Sequence, residues 1–433
     1  MLNKEILKEF VVRHCEKLAY VMSKNEYAFS LLKRIIESKV LQSDDPEAAE
    51  EEERDIDSLL DFIKLNPDAY QMLQEMLNNQ PRDVAQQLIE EMKNYQEVSE
   101  LSRRYFALRY PGTCARADTH DCSLDGQEIR DLDTIEENTQ ALLRDPTIEV
   151  IFEGQVRCEG LIARWDVLIK ESNGYRLYEV KGSNNVYNRT TDKDKIVPNK
   201  LKKPFLYDIA FQYEVYKRAN LPIIETNFLF LNKQFISQKK HLTYPLDDHD
   251  CLLIFLEAKE VYDSNKKDKR LVPIQTFIEE LHYVNKDDLR VSTYILMLQN
   301  IEAQSSLPAT KLLYACRKAG GCLLKDECHP QASTDTDHIF HLTCYNRVGG
   351  SYRVCSRLIE EGVSSISQIP KTVVEDAFPP RKETKFLLAN LQIQYAKQWM
   401  KRDWISLDGL RFLLQRDYQK YPLIFFDFET FSY

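Results

Sequence analysis

The chain switches between helical and strand-like spacing of its apolar residues. Leu2 to Met22, Tyr27 to Leu41, Ile56 to Leu65 and Asp83 to Tyr95 carry apolar residues at three- and four-residue intervals, which predicts a mainly helical region over residues 1–100. Arg104 to Gly112 leads into a turn at Pro111-Gly112. From Ile148 the pattern becomes strand-rich: Ile148–Phe152, a strand around Val156 to Leu161, then two runs on either side of Asn173-Gly174. Phe205–Ala219 reads as an amphipathic helix, Ile223–Leu231 as a strand, and Asp247 to Ser305 as helices. Residues 345–420 read as helical, with Gly362 and Pro370 as breakers, and Pro422–Phe431 reads as a new buried strand. No internal repeat is visible.

The Asn173-Gly174 pair between β-prone runs is a strong hairpin signal, usually a two-residue type I′ turn. With the turn at those two residues, paired positions sum to 347, so Asp166 faces Lys181 and Leu168 faces Glu179. Side chains alternate with period two, which puts Asp166, Glu179 and Lys181 on one face and leaves Trp165, Val167, Ile169, Tyr178 and Val180 for the core. Two carboxylates and a lysine converging in this way can hold a hard divalent cation and activate a water molecule. An ordinary exposed hairpin with a cross-strand Asp–Lys pair is the competing reading.

The composition narrows the classes. With 433 residues, at roughly 100–200 per domain, the chain should hold two or more domains. Its 43% apolar content, with 23 Tyr and 20 Phe, can fill large cores, while 12 Gly leave little for glycine-rich phosphate loops. Neither G-x-x-x-x-G-K-S/T nor G-x-G-x-x-G occurs. No run suits a bilayer span and the first residues do not read as a secretory signal, so the expectation is a cytoplasmic protein with reduced cysteines. The net charge of −10 is concentrated in Asp44–Asp57, read as a solvated helix face or flexible insertion, with a regulatory acidic tract as the alternative. It leaves room for a local basic patch. Residues 188–203 supply one, with Arg189, Lys193, Lys195, Lys200, Lys202 and Lys203 against two acids. That patch either tracks a nucleic-acid backbone or is a solvated loop.

Further along, Gln212 and Tyr216 stand one helical turn apart, with Asp208 extending the stripe. By themselves they read as a surface glutamine and a core aromatic. Glu153 ends the strand run thirteen residues before Asp166. Taken in order, Glu153, Asp166, Glu179-x-Lys181 and Gln212-x-x-x-Tyr216 resemble the motifs of the PD-(D/E)XK nuclease superfamily, in its RecB-like branch. That resemblance implies an α/β fold: a restriction-endonuclease-like mixed sheet flanked by helices, with helical additions before and after. It implies Mg²⁺ or Mn²⁺ on Asp166 and Glu179, with Glu153 assisting. Lys181 would assist water, and Gln212 and Tyr216 would position the DNA strand. Many members carry a histidine before the first acidic motif; His120 is the nearest here, in a polar, turn-like stretch.

Cys316, Cys322 and Cys328 form C-x5-C-x5-C, and Cys15 lies near the start of the chain. This is similar to RecB-like nucleases with an iron–sulfur cluster, such as AddB-type helicase–nucleases and the CRISPR spacer-acquisition exonucleases. The resemblance implies a 4Fe–4S cluster on Cys15, Cys316, Cys322 and Cys328. The spacing departs from the tighter C-x2-C-x5-C form, and a zinc site on the same cysteines is the rival. The remaining cysteines read as packed thiols, with Cys114–His120–Cys122 a minor metal candidate.

Asp427-Phe-Glu429, after an apolar run, resembles the first motif of DEDD 3′–5′ exonucleases. A bacterial family joins a RecB-like iron–sulfur nuclease, a helical connector and such an exonuclease domain in this order, and Ile366-x-x-Ile-Pro370 matches in the connector. The expected organisation is a helical region at 1–100, a nuclease core at 101–345, a connector at 346–420 and the first strand of a truncated exonuclease domain at 421–433. That strand alone should carry no activity. The resulting expectation is a metal-dependent DNA nuclease that hydrolyses phosphodiester bonds as an exonuclease, on single-stranded DNA or duplex ends, with no membrane partner. A nucleic-acid-binding scaffold for a fused exonuclease, and a cluster-bearing redox sensor, are the alternatives.

Overall fold

The computed structural model describes residues 1–24, 97–181, 203–231, most of 253–279 and 289–341, and 358–369. The expected helices at 27–41, 56–65 and 83–95, the basic residues 189–202, and Asp427 and Glu429 lie outside these. The chain divides into two units, Met1–Gln42 with Glu52–Pro308, and Ser43–Glu51 with Ala309–Tyr433.

The first unit is a mixed α/β structure. Its strands are β1 (Cys114–Arg116), β2 (Val150–Phe152), β3 (Gln155–Cys158), β4 (Leu161–Arg164), β5 (Val167–Glu171), β6 (Gly174–Lys181), β7 (Ile223–Leu231), β8 (Leu253–Leu256), β9 (Ala258–Asp263) and β10 (Asp268–Pro273). A mixed sheet runs β1-β2-β5-β6-β7-β8, with β3-β4 and β9-β10 as separate hairpins. The β6–β7 pair is parallel and the β5–β6 pair antiparallel. The helices are α1 (Lys4–Arg13), α2 (Glu16–Ser23), α3 (Leu132–Arg144), α4 (Lys203–Arg218), α5 (Ile274–Glu279) and α6 (Val291–Glu302), with a further helical stretch over 97–109. No helix among the described residues is long and apolar enough to cross a membrane.

One face of the sheet packs Val150, Phe152, Val167, Ile169, Tyr178 and Leu229 around Phe106, as the alternation at positions 167, 169 and 178 requires. The other face takes α4. This helix is buried nearly all round, because Phe205 meets Phe228 and Phe230 on β7 while Tyr207 meets Tyr294 on α6.

Three expectations are corrected. The span 253–273 forms strands rather than helices, because β8 completes its backbone hydrogen bonds against β7; tertiary pairing overrides the local spacing. The single strand expected around Val156–Leu161 is a hairpin, closed by Glu159 and Gly160, both at positive φ (53° and 79°) as a two-residue loop demands. The helix expected from Leu2 to Met22 is broken into α1 and α2 at His14, which takes a left-handed φ of 51°.

In the second unit Tyr314–Arg317 and Pro330–Ser333 form 3₁₀ turns and α7 spans Lys325–Cys328. Gly362 does act as a breaker, at φ +84°, before a 3₁₀ turn over Ile366–Gln368 with a Ser365–Gln368 capping box. Pro370 lies outside the described residues.

Candidate active site

The site hairpin is displaced by two residues from the expected register. Val167 pairs with Tyr178 and Glu171 with Gly174, so the pairs sum to 345 and the loop is Ser172-Asn173. Gly174 is drawn into the strand because Tyr175 N–H bonds the Pro222 carbonyl, and a Cβ on Gly174 would lie 2.4 Å from that oxygen. Its glycine serves close approach to β7, not the corner of the turn. A two-residue shift preserves the face of every side chain, so Glu179 and Lys181 still project together.

The chain between β4 and β5 bends at Trp165-Asp166, and strict alternation fails there. Trp165 is therefore corrected from the expected face. Its ring sits edge-on to Tyr216 of α4 with centroids 5.5 Å apart, and its indole N–H donates to the Ile151 carbonyl at 3.0 Å. Gly154 makes room: a Cβ there would fall 2.1 Å from the indole ring. Asp166, at the bend, accepts from the Val180 amide at 2.8 Å.

Glu179, Lys181, Asp208, Gln212 and Tyr216 are all buried and form one network. Lys181 Nζ stands 2.8 Å from Glu179 Oε1 and 2.8 Å from Asp208 Oδ2. Gln212 Nε2 donates to Glu179 Oε2 at 2.7 Å and to Asp208 Oδ1 at 3.1 Å. Tyr216 OH donates to Gln212 Oε1 at 3.1 Å. Burial, and then Glu179, push the Tyr216 phenol well above its ordinary range, which keeps the donor proton in place. For Asp208 burial pushes upward, but Lys181, Lys4 and Lys8 outweigh it and hold the carboxyl below the ordinary range. Gln212 is thus aimed at Glu179 and held there by Tyr216, and it is no surface residue.

Two further lysines join the cluster. Lys4 Nζ lies 3.0 Å from Glu179 Oε1 and 3.4 Å from Asp208 Oδ1, and Lys8 Nζ lies 3.7 Å from Asp208 Oδ2. Both come from α1, whose first turn is capped by the Asn3 carboxamide accepting from Glu5 and Ile6 amides. The signal was present in the sequence. Lys4 and Lys8 are spaced i,i+4, and a lysine in a helix's first turn opposes the macrodipole unless carboxylates meet it.

Glu153 is not brought into this network. It follows β2 at φ +53°, and its carboxylate faces Arg164 Nε at 3.3 Å and Arg103 at 3.8 Å. Arg164 in turn bonds Asp118 at 2.6 Å. The Glu153 backbone reaches the site, donating to the Asp166 carbonyl at 3.2 Å. Lys203 opens α4. His120 is exposed.

The oxygens of Asp166 and Glu179 are the hard donors that Mg²⁺ or Mn²⁺ takes, so the residues fit such an ion in kind. Among the described residues no group of three or more His, Cys, Asp or Glu stands ready to hold a metal. Cys15 caps α2, its sulfur accepting from the Leu18 amide at 3.4 Å. Cys316 and Cys322 are buried and Cys328 is half-buried in the second unit. Burial, with Glu149 adding to it, raises the Cys114 thiol to about 12.

No family model, curated protein or solved structure matches the chain.

Proposed function

We propose that the chain is a metal-dependent nuclease that hydrolyses DNA phosphodiester bonds, with Asp166 and Glu179 holding Mg²⁺ or Mn²⁺. The observation that carries this reading is the buried network that joins Glu179 and Lys181 to Asp208, Gln212 and Tyr216, with Asp166 tied to the same strand. Burying this many ionised groups is costly, and replacing them with apolar residues is often neutral or stabilising. Carboxylates and lysines gathered at a sheet end are what phosphoryl chemistry uses.

A bound divalent cation supplies charge neutralisation on the scissile phosphate and a hydroxide near neutral pH. The protein's own residues do the rest. Lys181, fixed between Glu179 and Asp208, sets a compact positive charge beside the phosphate and the attacking water. Gln212 fixes Glu179 through its amide and is itself fixed by Tyr216. Trp165 packs behind Tyr216 and keeps water from the rear of the network. The basic stretch Arg189–Lys203 would track the DNA backbone, and Cys15, Cys316, Cys322 and Cys328 would hold an iron–sulfur cluster, or zinc, as the resemblance to cluster-bearing RecB-like nucleases implies.

A second reading is a DNA-binding scaffold without its own cleavage. It is favoured by one observation: both oxygens of Glu179 already carry protein donors. Cleavage of labelled DNA with Mn²⁺, compared between wild type and Asp166→Ala, separates the two.

A further inference from the structure

Resting on the nuclease reading, we propose that Lys4 is a built-in competitor for the divalent cation: its ammonium occupies one oxygen of the Glu179 carboxylate and sets a positive charge beside the other, and the ion binds more tightly once the lysine swings away.

Glu179 Oε1 accepts two ammonium groups, Lys4 at 3.0 Å and Lys181 at 2.8 Å, while Oε2 accepts the Gln212 amide at 2.7 Å. A carboxylate oxygen has two lone-pair sites, so Oε1 is filled. Lys4, Lys8 and Lys181 face Glu5, Glu179 and Asp208, which brings this cluster close to neutrality. A divalent cation added to that set meets three positive charges in a buried setting, where repulsion is weakly screened. Removing one ammonium relieves both the occupancy and the repulsion.

Lys4 is the group that can leave. Lys181 is held by two carboxylates at 2.8 Å each and lies on a central strand, whereas Lys4 makes its second contact at a longer 3.4 Å. The helix itself stays. Leu2 is bridged to the β4 edge by bonds to Gly160 and Ile162, and Ile6, Leu7 and Phe10 are buried beneath it. Exchange is therefore a rearrangement of one flexible four-carbon side chain, not unfolding of a lid.

The test is binding of Mn²⁺ alone, measured by calorimetry on the full chain. Lys4→Met removes both charge and donor; Lys4→Gln keeps a donor and guards against a folding defect, which circular dichroism checks. Both variants are expected to bind Mn²⁺ at least roughly tenfold more tightly than wild type, a change of about 1.4 kcal/mol. Asp166→Asn is expected to lose binding. Equal or weaker affinity in folded Lys4 variants, with Asp166-dependent binding in wild type, would overturn the competitor role and leave the metal site standing. No Mn²⁺ binding in any folded protein would overturn the competitor role together with the nuclease reading.

Discussion

The carboxylate of Asp166 accepts a hydrogen bond from the Val180 amide at 2.8 Å, and Val180 lies between Glu179 and Lys181. A bend in one strand is thereby locked to the strand that carries the other two site residues. A charge-assisted bond of this kind fixes orientation as well as contributing energy. That bond ties Asp166 to the strand that carries Glu179 and Lys181.

Asp166→Asn should separate chemistry from folding. The amide oxygen can still accept from Val180, so unfolding free energy should change by no more than about 1.5 kcal/mol. Loss of a residue that merely orients a metal ligand costs roughly 10–100-fold, so loss of a ligand itself should cost more than about 100-fold in Mn²⁺-dependent cleavage. Denaturant unfolding and initial rates on labelled DNA check the two halves.

Asp208 should govern acid stability. Its carboxyl is held below the ordinary range in the folded protein, against about 3.9 when unfolded. A depressed folded-state value stabilises above the unfolded one, and that stabilisation is lost as pH falls through the folded value. The urea midpoint should hardly respond to this group between pH 7 and 5, and should fall below about pH 4. In Asp208→Asn this part of the acid dependence should vanish. That variant also removes one of the carboxylates that face three buried lysines, at a cost of up to about 3–5 kcal/mol at neutral pH.

Gly154→Ala should destabilise, because its Cβ would lie 2.1 Å from the Trp165 ring. Overpacking of this sort costs about 1–3 kcal/mol. Trp165→Phe in the same chain should recover part of the loss, since the two sites touch and their effects do not add. A thermal melt of the single and double variants gives the coupling.

Much of this site was legible because local signals coincide with it. The hairpin flanking Asn173, the Gln212–Tyr216 helix face and β7 over Ile223–Leu231 follow from spacing alone. The two-residue register error came from giving Gly174 a turn role, when its neighbour is the Pro222 carbonyl, far away in sequence. Trp165 was assigned to the wrong face because alternation says nothing about a bend. For Lys4 the sequence shows its helical spacing with Lys8 but not its partner: Glu179 is 175 residues away, and the tertiary fold joins them. Glu153 stands beside Asp166 by backbone, yet its side chain follows the arginines, and motif order could not foresee which partner it takes.

Cys15→Ser tests the cluster cleanly. Serine is a good N-cap, so α2 should keep its capped start while the thiolate disappears. Iron content and visible absorbance of anaerobically purified protein should fall, while Cys114→Ser, which alters a thiol raised to about 12, should leave both unchanged. Unchanged iron in Cys15→Ser would remove this residue from the ligand set.

The most direct test of the central claim is cleavage of end-labelled single- and double-stranded DNA with Mn²⁺ by cluster-replete wild type beside Asp166→Ala. The nuclease reading expects a product ladder from wild type and none from the variant. Cleavage that survives in Asp166→Ala, or folded wild type that binds DNA and leaves it intact, would contradict it.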